Sequence, residues 1–187
     1  MAENISRRQF FKLNPFDALR SITKKEPDGP VKEKTFYRPP GACSNEDDFL
    51  SKCERCHKCA DACPHDVIFS LGPIEGKREG TPALDPSGKP CQWCKDMDCI
   101  NACPSGALSF NDDGGINRIG SVMLNLDDCL NTHGILCDTC VSFCPPSVKA
   151  LKSDGRAPVL DPEKCVGCGL CVYYCESERV AIKIIKF

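Results

Sequence analysis

Apolar positions in this chain fall in short runs. Val67-Ile68-Phe69, Ala107-Leu108-Ser109-Phe110, Val148-Lys149-Ala150-Leu151 and Val180-Ala181-Ile182-Lys183-Ile184 are flanked by Pro, Gly and polar residues. Runs of this length and punctuation predict short strands rather than helices. A second set, Pro82-Ala83-Leu84-Asp85-Pro86, Val122 to Asp127 and Pro158-Val159-Leu160-Asp161-Pro162, precedes polar segments that close on Cys-x-x-x-Cys. That closing step has room for one helical turn, and Pro64, Pro104 and Pro145 then stop it. The predicted unit is strand, cysteine loop, helical turn, strand.

The unit repeats four times. Its cysteines are Cys53, Cys56, Cys59 and Cys63; Cys91, Cys94, Cys99 and Cys103; Cys129, Cys137, Cys140 and Cys144; and Cys165, Cys168, Cys171 and Cys175. The first cysteines of successive groups lie 38, 38 and 36 residues apart. A period of this size sets the fold. Composition agrees: the 187 residues include 17 cysteines, and without them only about a third of the chain is apolar. That is thin for one or two ordinary domains, so something inorganic or covalent must help to hold the chain together.

The spacing names the chemistry. Groups one and four read C-x2-C-x2-C-x3-C, the bacterial ferredoxin run for [4Fe–4S] clusters. Three thiolates on a curled loop reach three irons of one cubane. The fourth leaves on the next turn for the cluster of a partner run, so two runs interlock. Groups two and three lengthen one gap, to x4 and x7, at small closure entropy. Sixteen cysteines thus predict four [4Fe–4S] clusters, in an α+β fold of two interlocked 2[4Fe–4S] ferredoxin-like modules. Cys43 is left without a group.

Rival readings fit less well. Zinc needs two Cys pairs per ion, not third and fourth cysteines at these offsets. Disulfide scaffolds suit small secreted chains. Cys53-Glu54-Arg55-Cys56-His57 matches the c-type haem string only within a fuller motif. With every group holding four cysteines, His57, His65 and His133 are expected to pack loops, and Trp93, Tyr173 and Tyr174 to shield clusters. No nucleophile–base constellation, dinucleotide loop or open metal site is present, so the chain is expected to have no catalytic site of its own. The formal charge of −2 gives no reason to expect nucleic acid, and no apolar run is long enough for a transmembrane helix. Since the clusters replace the missing core, the apoprotein is expected not to fold stably.

Residues 1–42 differ from the rest. They carry nine Lys and Arg against five Asp and Glu, whereas residues 43–187 carry 15 against 21. This segment is read as an extended N-terminal arm, and 43–187 as the polyferredoxin domain. Ser6-Arg7-Arg8-Gln9-Phe10-Phe11-Lys12 resembles a twin-arginine export motif, but no apolar h-region follows it. A docking helix capped by Asn14, with Phe16, Leu19 and Ile22 as its stripe, competes with export.

On these residues the chain resembles the ferredoxin-type NapF/NapG/MauM proteins of periplasmic nitrate reductase and methylamine utilisation systems. The resemblance covers about residues 36–187. It rests on Arg38-Pro39-Pro40-Gly41-Ala42, on Cys91-x2-Cys94-x4-Cys99-x3-Cys103-Pro104, and above all on Cys129-Leu130-Asn131 … Gly134-Ile135-Leu136-Cys137-x2-Cys140-x3-Cys144-Pro145. It implies four clusters and electron delivery between a quinol-oxidising membrane module and a terminal reductase or dehydrogenase. A cytoplasmic member with an arginine pair but no h-region is implicated in maturing its partner. The resemblance therefore implies a cytoplasmic location, with periplasmic export as the alternative. A relay subunit of a molybdenum or tungsten oxidoreductase, perhaps contacting another electron-transfer protein, stands against a maturation factor that docks through its basic arm. The related beta subunits of such enzymes pair their motifs in a nested way. Carried over, Cys175 would join Cys53, Cys56 and Cys59; Cys63 would join Cys165, Cys168 and Cys171; Cys144 would join Cys91, Cys94 and Cys99; and Cys103 would join Cys129, Cys137 and Cys140. Sequential pairing, one with two and three with four, is the alternative.

Overall fold

The protein is described by a computed structural model over residues 35–153, 156–177 and 181–186. The twin-arginine-like motif and the Asn14–Ile22 segment lie outside the described residues. Short strands and one-turn helices alternate, as an α+β fold requires.

The longest helix described, α1 (Glu46–Lys52), starts where the Asn45 side chain accepts hydrogen bonds from the Asp47 and Asp48 amides. Its acidic first turn and terminal Lys52 suit the helix dipole. It buries Phe49 completely. Four one-turn helices follow: α2 (Lys58–Asp61), α3 (Asp98–Asn101), α4 (Thr139–Ser142) and α5 (Leu170–Tyr173). Each begins one residue before the third cysteine of its group.

The strands pair antiparallel, in twos. Strand β1 (Phe69–Ser70) meets β2 (Pro82–Ala83), with Phe69 opposite Ala83. Strand β3 (Ser121–Leu124) meets β6 (Ile182–Ile185), with Leu124 opposite Ile182. Strand β4 (Leu151–Ser153) meets β5 (Pro158–Leu160), with Leu151 opposite Leu160. The run at 107–110 makes only the bridges Ala42–Leu108 and Phe110–Ile116. Its amides are committed elsewhere, that of Leu108 to the Cys103 sulfur and that of Ser109 to the Gly41 carbonyl.

One topology therefore occurs twice. In each half a hairpin-like pair joins the two cysteine groups (β1–β2, then β4–β5). A second pairing joins the residues before the first group to those after the second (Ala42–Leu108, then β3–β6). The core interleaves buried Val67, Ile68, Leu84, Ile100 and Leu108, then Val122, Val148, Leu151 and Ile182, with buried cysteines.

Residues 35–42, on the arm side of the boundary expected at 42/43, are packed into this fold. Tyr37 bridges Leu84, its hydroxyl donates to the Ile184 carbonyl, and Pro39 and Pro40 are fully buried. Among the described residues no helix is long and apolar enough to cross a membrane.

Candidate metal centres

Four cavities of equal size, about 20 Å³ each, take up the sixteen grouped cysteines. The first is lined by Cys53, Cys56, Cys59 and Cys103. Cys91, Cys94, Cys99 and Cys63 line the second. The third has Cys129, Cys137, Cys140 and Cys175, and the fourth Cys165, Cys168, Cys171 and Cys144. Three cysteines of one group thus meet the fourth cysteine of its neighbour, in sequential order.

The nested pairing carried over from the beta subunits is not what the structure has. Cys175 lies with Cys129, Cys137 and Cys140, not with Cys53, Cys56 and Cys59, and Cys103 lies with the first group. The reason is local. Adjacent repeats are joined by short connections, so α2 packs on α3 and α4 on α5. Each helical turn then carries its last cysteine across to its immediate neighbour.

A left-handed residue curls three of the four loops. Arg55, Trp93 and Gly167, each just before the second cysteine of its group, have φ of +54°, +48° and +67°. His57, Met97 and Gly169, each two residues before the third cysteine, are left-handed as well. Non-glycine residues hold such angles only when their surroundings fix them. Here Arg55 donates to the Glu79, Lys77 and Cys53 carbonyls, and His57 is hydrogen-bonded to the Ser70 hydroxyl at 2.6 Å. His133 is likewise bonded to the Asp127 carbonyl. These histidines pack loops, as the sequence predicts.

Group four uses glycines for a further reason. A Cβ on Gly167 would stand 2.5 Å from the Gly120 carbonyl carbon, and one on Gly169 would strike the Pro86 carbonyl oxygen. The two halves of the molecule meet along this loop. The Cys91 amide donates to the Cys168 carbonyl at 2.9 Å, and the Ile119 amide to the Val166 carbonyl at 3.0 Å. One Arg118 nitrogen donates to the carbonyls of Pro162, Glu163 and Cys165. Sequence reasoning missed Arg118. The glycine pair could have been noticed, since it stands where group one has Arg55 and His57.

Burial makes these thiols poor acids on their own. It pushes Cys59 and Cys91 up to about 12, and Cys99, Cys140 and Cys168 up to about 11. The neighbouring group's cysteine adds to the effect, Cys103 for Cys59 and Cys63 for Cys99. Four thiolates around one dry cavity need several cationic centres to balance them, which a multi-iron cluster supplies. Among the described residues no three such side chains converge closely enough for a single ion. Thiols ringing a cavity rather than a point fit a cubane and not a tetrahedral zinc.

Two crossing cysteines accept backbone hydrogen bonds. The Leu108 amide donates to Cys103 Sγ at 3.4 Å, and the Ala150 amide to Cys144 Sγ at 3.3 Å. Burial would raise the Cys103 thiol, yet the Leu108, Ser105 and Ala107 donors lower it overall. Trp93 is half-buried against the core, as a shield should be, and its amide donates to Cys91 Sγ. Tyr173 and Tyr174 are instead exposed, with Tyr174 stacked on Phe143 at 3.7 Å. Cys43 lines none of the four cavities. It sits beside Lys52 and the Ala107 carbonyl.

Known proteins agree with this geometry. Residues 52–107, 90–148 and 121–176 match 4Fe-4S dicluster domains. The chain is 38 % identical over 168 residues to the ferredoxin-type protein NapG of Haemophilus influenzae, covering 83 % of this chain and 60 % of that protein. It is 34 % identical over 166 residues to the methylamine utilization ferredoxin-type protein MauM of Methylobacillus flagellatus, with 83 % and 70 % covered. It is also 31 % identical over 138 residues to the polyferredoxin-like subunit of the aliphatic sulfonate oxidoreductase of Pyrococcus furiosus, with 72 % and 73 % covered. The fold, the four cavities and the matched domains define an iron–sulfur electron-transfer protein of the ferredoxin type, with four [4Fe–4S] clusters. Within that class the chain belongs to the NapG/MauM ferredoxin-type family.

Proposed function

We propose that this chain is the relay subunit of a larger redox assembly, with its sixteen grouped cysteines as the cluster ligands. Bound [4Fe–4S] clusters supply one-electron oxidation and reduction. The chain's own contribution is to hold four such sites in a row. Cys103 and Cys63 interlock the first and second sites, and Cys175 and Cys144 the third and fourth. The bond from Cys91 to Cys168 is the observation that carries the reading, because it joins the second site to the fourth. The row is therefore first, second, fourth, third. Its middle is dry: Cys91, Cys165, Cys168 and Cys171 are all buried, whereas Cys56 at one end is exposed and Cys129, Cys137 and Cys175 at the other are half-buried.

Electrons enter and leave at the two ends, through a catalytic redox subunit, of molybdenum, tungsten or similar chemistry, and a second electron-transfer protein. The Pyrococcus relative, by its name a subunit of an oxidoreductase, supports such a setting. The protein works on the cytoplasmic side and meets a membrane only through a partner. Anaerobic purification with iron and sulfide analysis, followed by a redox titration read by electron paramagnetic resonance, tests the relay. Four magnetically interacting clusters are expected. Isolated, non-interacting centres would overturn the row.

A further inference from the structure

The gap between Cys129 and Cys137 is longer than its ligand role needs. Group one spans the corresponding step with two residues, group three with seven. The extra segment is braced along its length. The Thr132 hydroxyl donates toward the Leu126 and Cys129 carbonyls, the Asn131 side-chain amide donates to the Cys137 carbonyl at 3.1 Å, and Gly134 turns the chain at φ +80°. What this brace presents is apolar and outside the core. Ile135 is 55 % exposed and Leu136, next to Cys137, is 91 % exposed. Leu126, which lines the third cavity, is exposed too, and the Phe143–Tyr174 ring stack adjoins Cys144 and Cys175. The opposite end differs, with Glu54, Arg55 and His57 around the first cavity.

Resting on the relay reading, we propose that this rim, centred on Ile135 and Leu136, docks a redox protein that presents an apolar surface over its own redox centre. Three observations converge. Exposed apolar patches mark interaction sites. This one surrounds a terminal site of the row, where the only chemistry on offer is electron exchange with another centre. Transfer falls off exponentially with distance, so the partner's centre must sit directly over the Cys137 loop. Electron-transfer encounters also use small interfaces, for which a few preorganised side chains suffice.

The test uses the full chain in its native cells, with the photo-reactive residue p-benzoylphenylalanine at position 136 or, as control, at Ile74, which is 95 % exposed but adjoins no grouped cysteine. Adducts are identified by mass spectrometry. Position 136 is expected to yield a protein bearing haem, flavin or an iron–sulfur centre, and position 74 not to. Adding Ile135→Asp and Ser142-side-neutral Leu126→Asp is expected to cut that adduct about tenfold, as loss of an interface anchor does. No adduct, equal adducts from both positions, or a partner without a redox centre overturns the docking site. Cluster reduction by dithionite, read on the same chains by electron paramagnetic resonance, separates the two ideas. If the clusters take up no electrons, the relay reading itself fails; if they do and no adduct forms, only the docking site fails.

Discussion

The amide of Cys91 and the carbonyl of Cys168, 2.9 Å apart, belong to different halves of the molecule, and each residue lines a different cavity. A single hydrogen bond thus ties the ligand loop of the second site to that of the fourth. The packing around it, Gly169 on Pro86 and Gly167 on Gly120, leaves no room for a side chain.

Replacing Gly169 by Ala should therefore be costly. The new methyl group would both strain a φ of +90° and strike the Pro86 carbonyl, and the expected loss is roughly 2 kcal/mol or more. Gly114→Ala, at φ +78° with open space around it, should lose only about 1 kcal/mol from strain. Thermal unfolding of the two holoproteins, followed by the visible cluster absorbance, makes the comparison. Equal losses would show that the close approach to Pro86 does not matter.

Sequential pairing can be checked by counting clusters. Cys137 and Cys175 line one cavity, so the double variant Cys137→Ser, Cys175→Ser should lose one cluster's worth of iron. Under nested pairing the same variant would damage two sites. Iron and sulfide analysis after anaerobic reconstitution distinguishes these outcomes.

Arg38 ties the start of the packed chain to α1 and β2. It bonds Glu46 at 2.5 Å, the Thr81 hydroxyl at 2.9 Å and the Pro82 carbonyl at 2.7 Å, and lies 4.5 Å from the centre of the buried Phe49 ring. Glu46 is well exposed, so the ion pair itself contributes little. The half-buried bonds to Thr81 and Pro82 matter more. Arg38→Ala should cost about 2 kcal/mol in denaturant unfolding, and Glu46→Gln well under 1 kcal/mol.

Removing the iron should unfold the chain. Many buried residues are themselves cysteines facing the cavities, and the strands are two to four residues long. Such strands do not stand alone. Chelation under reducing conditions is expected to abolish cooperative melting and native-like circular dichroism. An apoprotein that keeps both would refute a cluster-dependent core.

The sequence made the repeat, the helical turns and the sixteen cysteines legible, because ligand spacing and proline stops are local facts. Pairing between groups was not legible. The direction in which Cys63 or Cys175 leaves its turn depends on which neighbouring helix it packs against, and spacing does not encode that. Nor did the run at 107–110 become a strand, since its Leu108 amide goes to the Cys103 sulfur. The exposed tyrosines fail as shields for a related reason: a position beside a ligand does not fix which way a ring turns.

The closure of each half upon itself bears on how the protein is made. Ala42 meets Leu108, and the first two cavities draw on no cysteine beyond Cys103. A chain emerging from the ribosome has every ligand for two clusters before its second half has been translated. Domains fold in that order during synthesis. Under nested pairing the thiols of Cys53, Cys56 and Cys59 would wait, bare and oxidisable, for Cys175 at the far end of the chain. In the sequential arrangement, cluster insertion can keep pace with translation, one half at a time.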